Sequence, residues 1–145
     1  MQATRSEIVD MARSWIGTPY RHQGRTRRGV DCAGPLVNIA NEIGAEGITD
    51  RLIYSRFPES FNLKEQMDAV LIKVDKDSVK PGDVLLFKID VLPQHVGIAG
   101  NYRHGGLSII HCYQRVGRVV EHRFANVWWV RLIQAYKIPG VQEDM

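Results

Sequence analysis

An α+β fold is predicted by a change of hydrophobic period along the chain. Apolar residues recur at helical spacing in the first half, and the second half breaks into short β-branched and aromatic runs separated by turn residues. Helices first and strands after argue for N-terminal helices packed on a central antiparallel sheet of about five to six strands.

Thr4 and Glu7 have capping-box spacing, and Ile8, Met11, Ala12, Trp15 and Ile16 follow at i, i+3, i+4, i+7 and i+8. They predict a first helix stopped by Gly17-Thr18-Pro19. Leu36, Val37, Ala40 and Ile43 mark a second helix, with Gly44 placed to end it. Pro35 fixes its start, because a residue without an N–H is tolerated only in the first turn. Cys32 is therefore expected at the N-cap or the first helical position. Asn62, with Glu65 three residues on, opens a third helix carrying Leu63, Met67, Val70 and Leu71 on one face. Strands are predicted over 84–89, 96–100, 107–113, 116–123 and 132–138, punctuated by Pro81-Gly82-Asp83, His104-Gly105-Gly106 and Gly117. No repeat or long linker divides the chain, so residues 1–145 are expected to form one domain.

Composition removes several classes of function. A chain of 145 residues that is 44% hydrophobic can bury one core. Its 2 cysteines make neither a disulfide framework nor a Cys-rich zinc site. The opening residues carry Arg5, Glu7 and Asp10 and lack a basic-then-apolar leader, so synthesis in the cytoplasm without a signal peptide is expected. No apolar run approaches membrane-spanning length. The net charge is +3, and its one dense cluster is Arg21, Arg25, Arg27 and Arg28. That cluster reads either as a solvated loop or as a surface for a carboxylate-bearing peptide or polyanion. Without interleaved aromatics, zinc-finger spacing or an RNA-binding signature, nucleic acid is not an expected partner.

The chemistry centres on Cys32, in Asp31-Cys32-Ala33-Gly34-Pro35. At a helix N-terminus a thiolate is stabilised by unpaired N–H groups and the helix dipole. His95 opens the strand His95-Val96-Gly97-Ile98, and His111 lies in the next one. If these strands are antiparallel neighbours, the two histidines share a face, and the period of 2 sends Cys112 to the other, where it is expected to be buried and inert. Among the remaining histidines, His22 stands in the approach to Cys32, His104 sits in a Gly-rich turn, and His122 reads as part of a solvated strand face. Cys32, His95 and His111 are also chemically able to ligate zinc. HExxH is absent, and neither a metal nor another cofactor is expected.

Five ordered motifs, Gly17-Thr18-Pro19-Tyr20, Asp31-Cys32-Ala33-Gly34, Pro81-Gly82-Asp83-Val84-Leu85-Leu86-Phe87, His95-Val96-Gly97-Ile98 and Ile110-His111, resemble the NlpC family of papain-like cell-wall cysteine peptidases. The resemblance runs over residues 6–139. Within that family, Tyr20-Arg21-His22-Gln23 and the stretch from Val119-Val120-Glu121-His122 through Trp128-Trp129 to Ile138-Pro139-Gly140 look like the subgroup carried by tailed phages and gene transfer agents. Two positions depart from the family pattern: Ala33 stands where serine is common and Pro35 where leucine is.

The resemblance implies Cys32 as nucleophile, His95 as general base and acid, His111 as the residue orienting His95, and Tyr20 with the Cys32 N–H at the oxyanion. It places His22, Asp31, Arg21 and Arg28 toward the substrate. That substrate is implied to be a peptidoglycan stem peptide, first the bond between D-γ-glutamate and a diamino acid, with phage-like tail proteins as partners and the target cell envelope as the place of action. A structural tail component with weak or lost catalysis, and a papain-like amidase or acyltransferase on another amide, are the alternatives.

Overall fold

Residues 3–45, 48, 63–89 and 92–144 are described by the computed structural model of the chain, with only the backbone described at 92–94. Helix α1, Arg5–Arg13, opens on the expected capping box: the Thr4 side chain accepts from the Glu7 N–H, and the Glu7 carboxylate accepts from the Thr4 N–H. Ile8, Val9 and Ala12 face the core. The helix ends a turn earlier than the apolar spacing predicts, so Trp15 is still buried while Ile16 is 47% exposed. Arg5 is buried and joins Asp83 at 2.6 Å, which ties α1 to the turn before the central strands.

A short hairpin that hydrophobic period does not announce follows, β1 (Arg25–Thr26) and β2 (Gly29–Val30). Helix α2, Gly34–Ile43, is ended by Gly44 in the left-handed region, φ 73°, as expected of a C-cap glycine. Helix α3 spans Leu63–Val70 and turns Leu63 and Met67 inward, while the expected Asn62 cap lies outside the described residues.

The strands are β3 (Ile72–Val74), β4 (Val84–Ile89), β5 (Leu92–Asn101), β6 (Leu107–Tyr113), β7 (Arg118–Arg123) and β8 (Leu132–Lys137), with helix α4 (Asn126–Arg131) between the last two. They form a 6-stranded antiparallel sheet in the order β3-β8-β4-β5-β6-β7. The α+β architecture and the strand count are those the sequence predicts. β3 and α4 are additions to it.

Both faces of the sheet are covered. Helices α1, α2 and α3 lie on one, where Ile8, Leu36, Ile39, Leu86, Ile98 and Ile110 share a core. On the other, α4 closes a smaller cluster of Leu85, Phe87, Ala99, Ile109, Phe124 and Trp128. Two-sided burial is why Val84-Leu85-Leu86-Phe87 is continuously apolar rather than alternating. The β5–β6 ladder runs from Asn101↔Leu107 to Ile98↔Ile110, so His95 and Tyr113 lie beyond its last registered pair.

Candidate active site

Cys32 occupies the turn between β2 and α2, one residue before the N-cap Ala33. This corrects the expectation that it is the N-cap or first helical residue. Ala33 has no side-chain cap to offer, and Asp31 does that work from two residues further out. Its Oδ1 accepts from the N–H of Ala33 at 3.0 Å and of Gly34 at 2.9 Å, and from Arg25 Nη1 at 2.7 Å. The fully buried carboxylate therefore takes donors that the sequence reading leaves to the thiolate.

Cys32, His95 and Tyr20 line one cavity of about 100 Å³, together with Ile89, Cys112, Tyr113, Gln114 and Arg115. Larger hollows of about 420 and 620 Å³ lie beside Arg5 and beside Tyr102, and neither is lined by Cys32 or His95. The nucleophile candidate is 6% exposed and the base candidate 5%. Burial, reinforced by the Asp31 charge, pushes the Cys32 thiol well above its ordinary value, although the Val96 backbone N–H reaching the sulfur opposes this. Burial, then the charge of Arg131, lowers His95 from 6.5 to about 3. At rest the pair is a neutral thiol and a neutral imidazole.

Behind His95, on the same face, lies His111, with His95 Nε2 to His111 Nδ1 at 2.7 Å. Gly97 makes this approach possible: a Cβ there would meet Ile109 Cγ2 at 3.0 Å and His111 Cβ at 3.3 Å. Burial, followed by the neighbouring His95 and His122, lowers His111 to about 2. The expected solvated position of His122 is overturned. It is half-buried, and its Nε2 lies 2.8 Å from His111 Nε2. One side chain covers all three rings, since Trp128 of α4 stands 5.9, 4.9 and 5.8 Å from His95, His111 and His122. Tyr113 stacks on His111 at 5.7 Å.

The arginine cluster does not act as a unit. Arg25 pairs with Asp31, and Arg27 lies 3.6 Å over the Trp15 ring and donates to the Ser14 carbonyl. Arg21 and Arg28 are exposed, and neither they nor the half-buried His22 are among the described residues that line the cavity. Asp31 holds the turn from beneath rather than lining the cavity. Sequence reasoning passes over Arg115, the one cation among the described lining residues. Cys112 is on the face opposite His111 as expected; its thiol donates to the Val30 carbonyl at 3.3 Å, and burial raises it to about 12.

The NlpC/P60 family model matches residues 17–136. The chain is 32% identical over 127 residues to the probable endopeptidase NlpC of Escherichia coli K12, an alignment covering 84% of this chain and 70% of that protein. It is 25% identical over 135 residues to the murein DD-endopeptidase MepS/murein LD-carboxypeptidase of Escherichia coli K12, covering 92% of this chain and 63% of the relative. In three dimensions it superimposes on the NlpC/p60 domain of the peptidoglycan hydrolase SagA with a TM-score of 0.66 at 23% identity, over 93% of this chain and 99% of that one. An NlpC/P60 family protein from Bacillus cereus gives 0.68 at 19% identity, over 94% of this chain and 40% of that one. The fold is thus papain-like, and the sequence match extends through the turn of Cys32 and the strands of His95 and His111. The chain belongs to the NlpC/P60 family.

Proposed function

We propose that this protein is a cysteine peptidase of the cell wall, an endopeptidase cleaving amide bonds in peptidoglycan stem peptides, with the D-γ-glutamyl–diamino acid bond as its first substrate. The observation that carries the reading is the convergence of Cys32 and His95 on one cavity, with His111 at 2.7 Å behind the base. The relative named as a murein endopeptidase supplies the substrate class.

In this reading His95 uses Nδ1, the nitrogen not engaged with His111, to take the proton of the Cys32 thiol as the sulfur attacks the carbonyl carbon. The oxyanion forms toward the Cys32 backbone N–H and the Tyr20 hydroxyl. The C–N bond then breaks, His95 returns its proton to the leaving amine, and water hydrolyses the thioester. Because the resting pair is neutral, the nucleophile is made during attack rather than stored as a thiolate. Free carboxylates of the stem peptide have a partner at the cavity in Arg115.

The finer reading is that the enzyme acts as a tail component of a phage or phage-like particle, opening the wall locally for DNA passage. Its support is the subgroup-like stretch Tyr20-Arg21-His22-Gln23 and the Trp128-Trp129 tail. Incubation with purified muropeptides tests the activity by mass spectrometry. New products are expected with the native protein and none with Cys32→Ala; intact muropeptides in both would overturn it. Co-purification with tail proteins, and loss of wall penetration in Cys32→Ala particles, tests the tail role.

A further inference from the structure

The proton positions along the histidine chain can be assigned from its outer end. His122 Nδ1 lies 2.8 Å from the Arg123 carbonyl, which only accepts, so this nitrogen carries the proton. Neutral His122 then has a bare Nε2, which accepts from His111 Nε2–H at 2.8 Å. That leaves His111 Nδ1 bare to accept from His95 Nε2–H at 2.7 Å. His95 is left with a bare Nδ1, the form a base facing Cys32 needs. One backbone carbonyl on the edge strand β7 thereby sets the tautomer of a ring on β5, through three successive hydrogen bonds.

We propose that His122 is the outer end of a proton relay, His95–His111–His122, which fixes the tautomer of the base and carries the positive charge of each catalytic proton from the buried cavity to the sheet edge. The step balances. The Cys32 proton bonds to His95 Nδ1, the His95 Nε2 proton passes to His111 Nδ1, and the His111 Nε2 proton passes to His122 Nε2. The thiolate sulfur bonds to the carbonyl carbon and the imidazolium is left at His122; when the amine departs, the two inter-ring transfers reverse and His95 Nδ1 gives its proton to the leaving nitrogen. The charge has reason to move. Trp128 stands over all three rings, but His95 and His111 are buried, whereas His122 is half-buried and lines the hollow of about 620 Å³ open to solvent.

The charged groups around His122 are Arg13 from α1, Arg103 from the β5–β6 turn, Glu121 and Arg123 of its own strand, and Arg131, which lies over Trp128. Glu121 is engaged by Arg13 at 2.8 Å and by Ser108.

The inference rests on the proposed role of Cys32 and His95, and its test does not depend on the substrate. The readouts are 15N NMR of the histidine rings and the rate of Cys32 alkylation by iodoacetamide, with His122→Gln and His122→Phe compared. Glutamine can accept from His111 but cannot take up its proton; phenylalanine does neither. The native protein is expected to show His95 protonated at Nε2 only. His122→Gln should keep that tautomer and slow alkylation about tenfold, and His122→Phe should mix the tautomers and slow alkylation about a hundredfold. An Nδ1-protonated His95 in the native protein, or alkylation in His122→Gln at the native rate, would overturn the relay. If muropeptides are not cleaved while these signatures hold, the substrate reading fails and the relay stands.

Discussion

Acidification from pH 7 to 4.5 should remove a large part of this protein's stability, with two histidines as the cause. His95 and His111 fall from 6.5 to about 3 and about 2 in the folded chain. Between pH 6.5 and 3 the unfolded chain therefore binds protons that the folded chain refuses, so stability present above 6.5 is lost as the pH falls. Each histidine costs about 1.4 kcal/mol per pH unit, hence roughly 5 kcal/mol for the two at pH 4.5. Domains of this kind are stable by about 5–15 kcal/mol in total. The ion-paired carboxylates Glu121, Glu143 and Asp144, all lowered, add losses of the same sign only below their ordinary values of 4.5 and 3.8, so the interval from 6.5 to 4.5 isolates the histidines. The assay is urea denaturation at closely spaced pH values, with the m-value checked for constancy. The slope should approach roughly 3 kcal/mol per unit, and His111→Phe should roughly halve it whatever it does to stability at pH 7. A flat profile, or an unchanged slope in His111→Phe, refutes the argument.

Two further substitutions probe the site's packing and charge. Gly97→Ala places a Cβ 3.0 Å from Ile109 Cγ2 and 3.3 Å from His111 Cβ, both close to backbone that cannot swing away. It should cost about 1–3 kcal/mol in thermal denaturation and lower kcat with little change in KM, and native values of both would contradict the packing account. Arg115→Ala should raise KM for small stem peptides about fivefold, an effect erased by salt, whereas Arg21→Ala and Arg28→Ala should change it less because they lie outside the cavity lining. The reverse order would return substrate recognition to the loop cluster.

The parts of the site legible in the sequence are those governed by strict periods. A period of 2 in adjacent antiparallel strands puts His95 and His111 on one face and Cys112 on the other without knowledge of what covers either. The period of 3.6 likewise places α1 and α2, because their apolar stripes are wide. Three features escape the same logic. Polar alternation around His122 reads identically whether the face is open to water or roofed by α4, and α4 itself is too short, at 6 residues, to show a period. The N-terminal donors of α2 are satisfied from Asp31, two residues ahead of the N-cap, where the usual capping position holds only Ala33. Arginines read as one charged loop are divided among local partners, Asp31 for Arg25 and Trp15 for Arg27, which no spacing rule anticipates.

Asp31 also explains why the departures of this chain from its family's pattern are tolerated. A serine after the cysteine could offer a side-chain cap, and a residue other than proline at position 35 would add an N–H to the first turn. Here the Asp31 carboxylate takes the Ala33 and Gly34 N–H groups, so Ala33 needs no hydroxyl and Pro35 sits where its missing donor is least missed. The consequence reaches the chemistry. With those donors committed to a buried anion adjacent to Cys32, the helix terminus does little to stabilise a thiolate, and the Asp31 charge works against one. In the proposed mechanism, nucleophile formation then depends on how readily the proton leaves through His95. On that proposal the hydrogen-bonded path from the ring through His111 to His122 bears on the rate more than the helix dipole does.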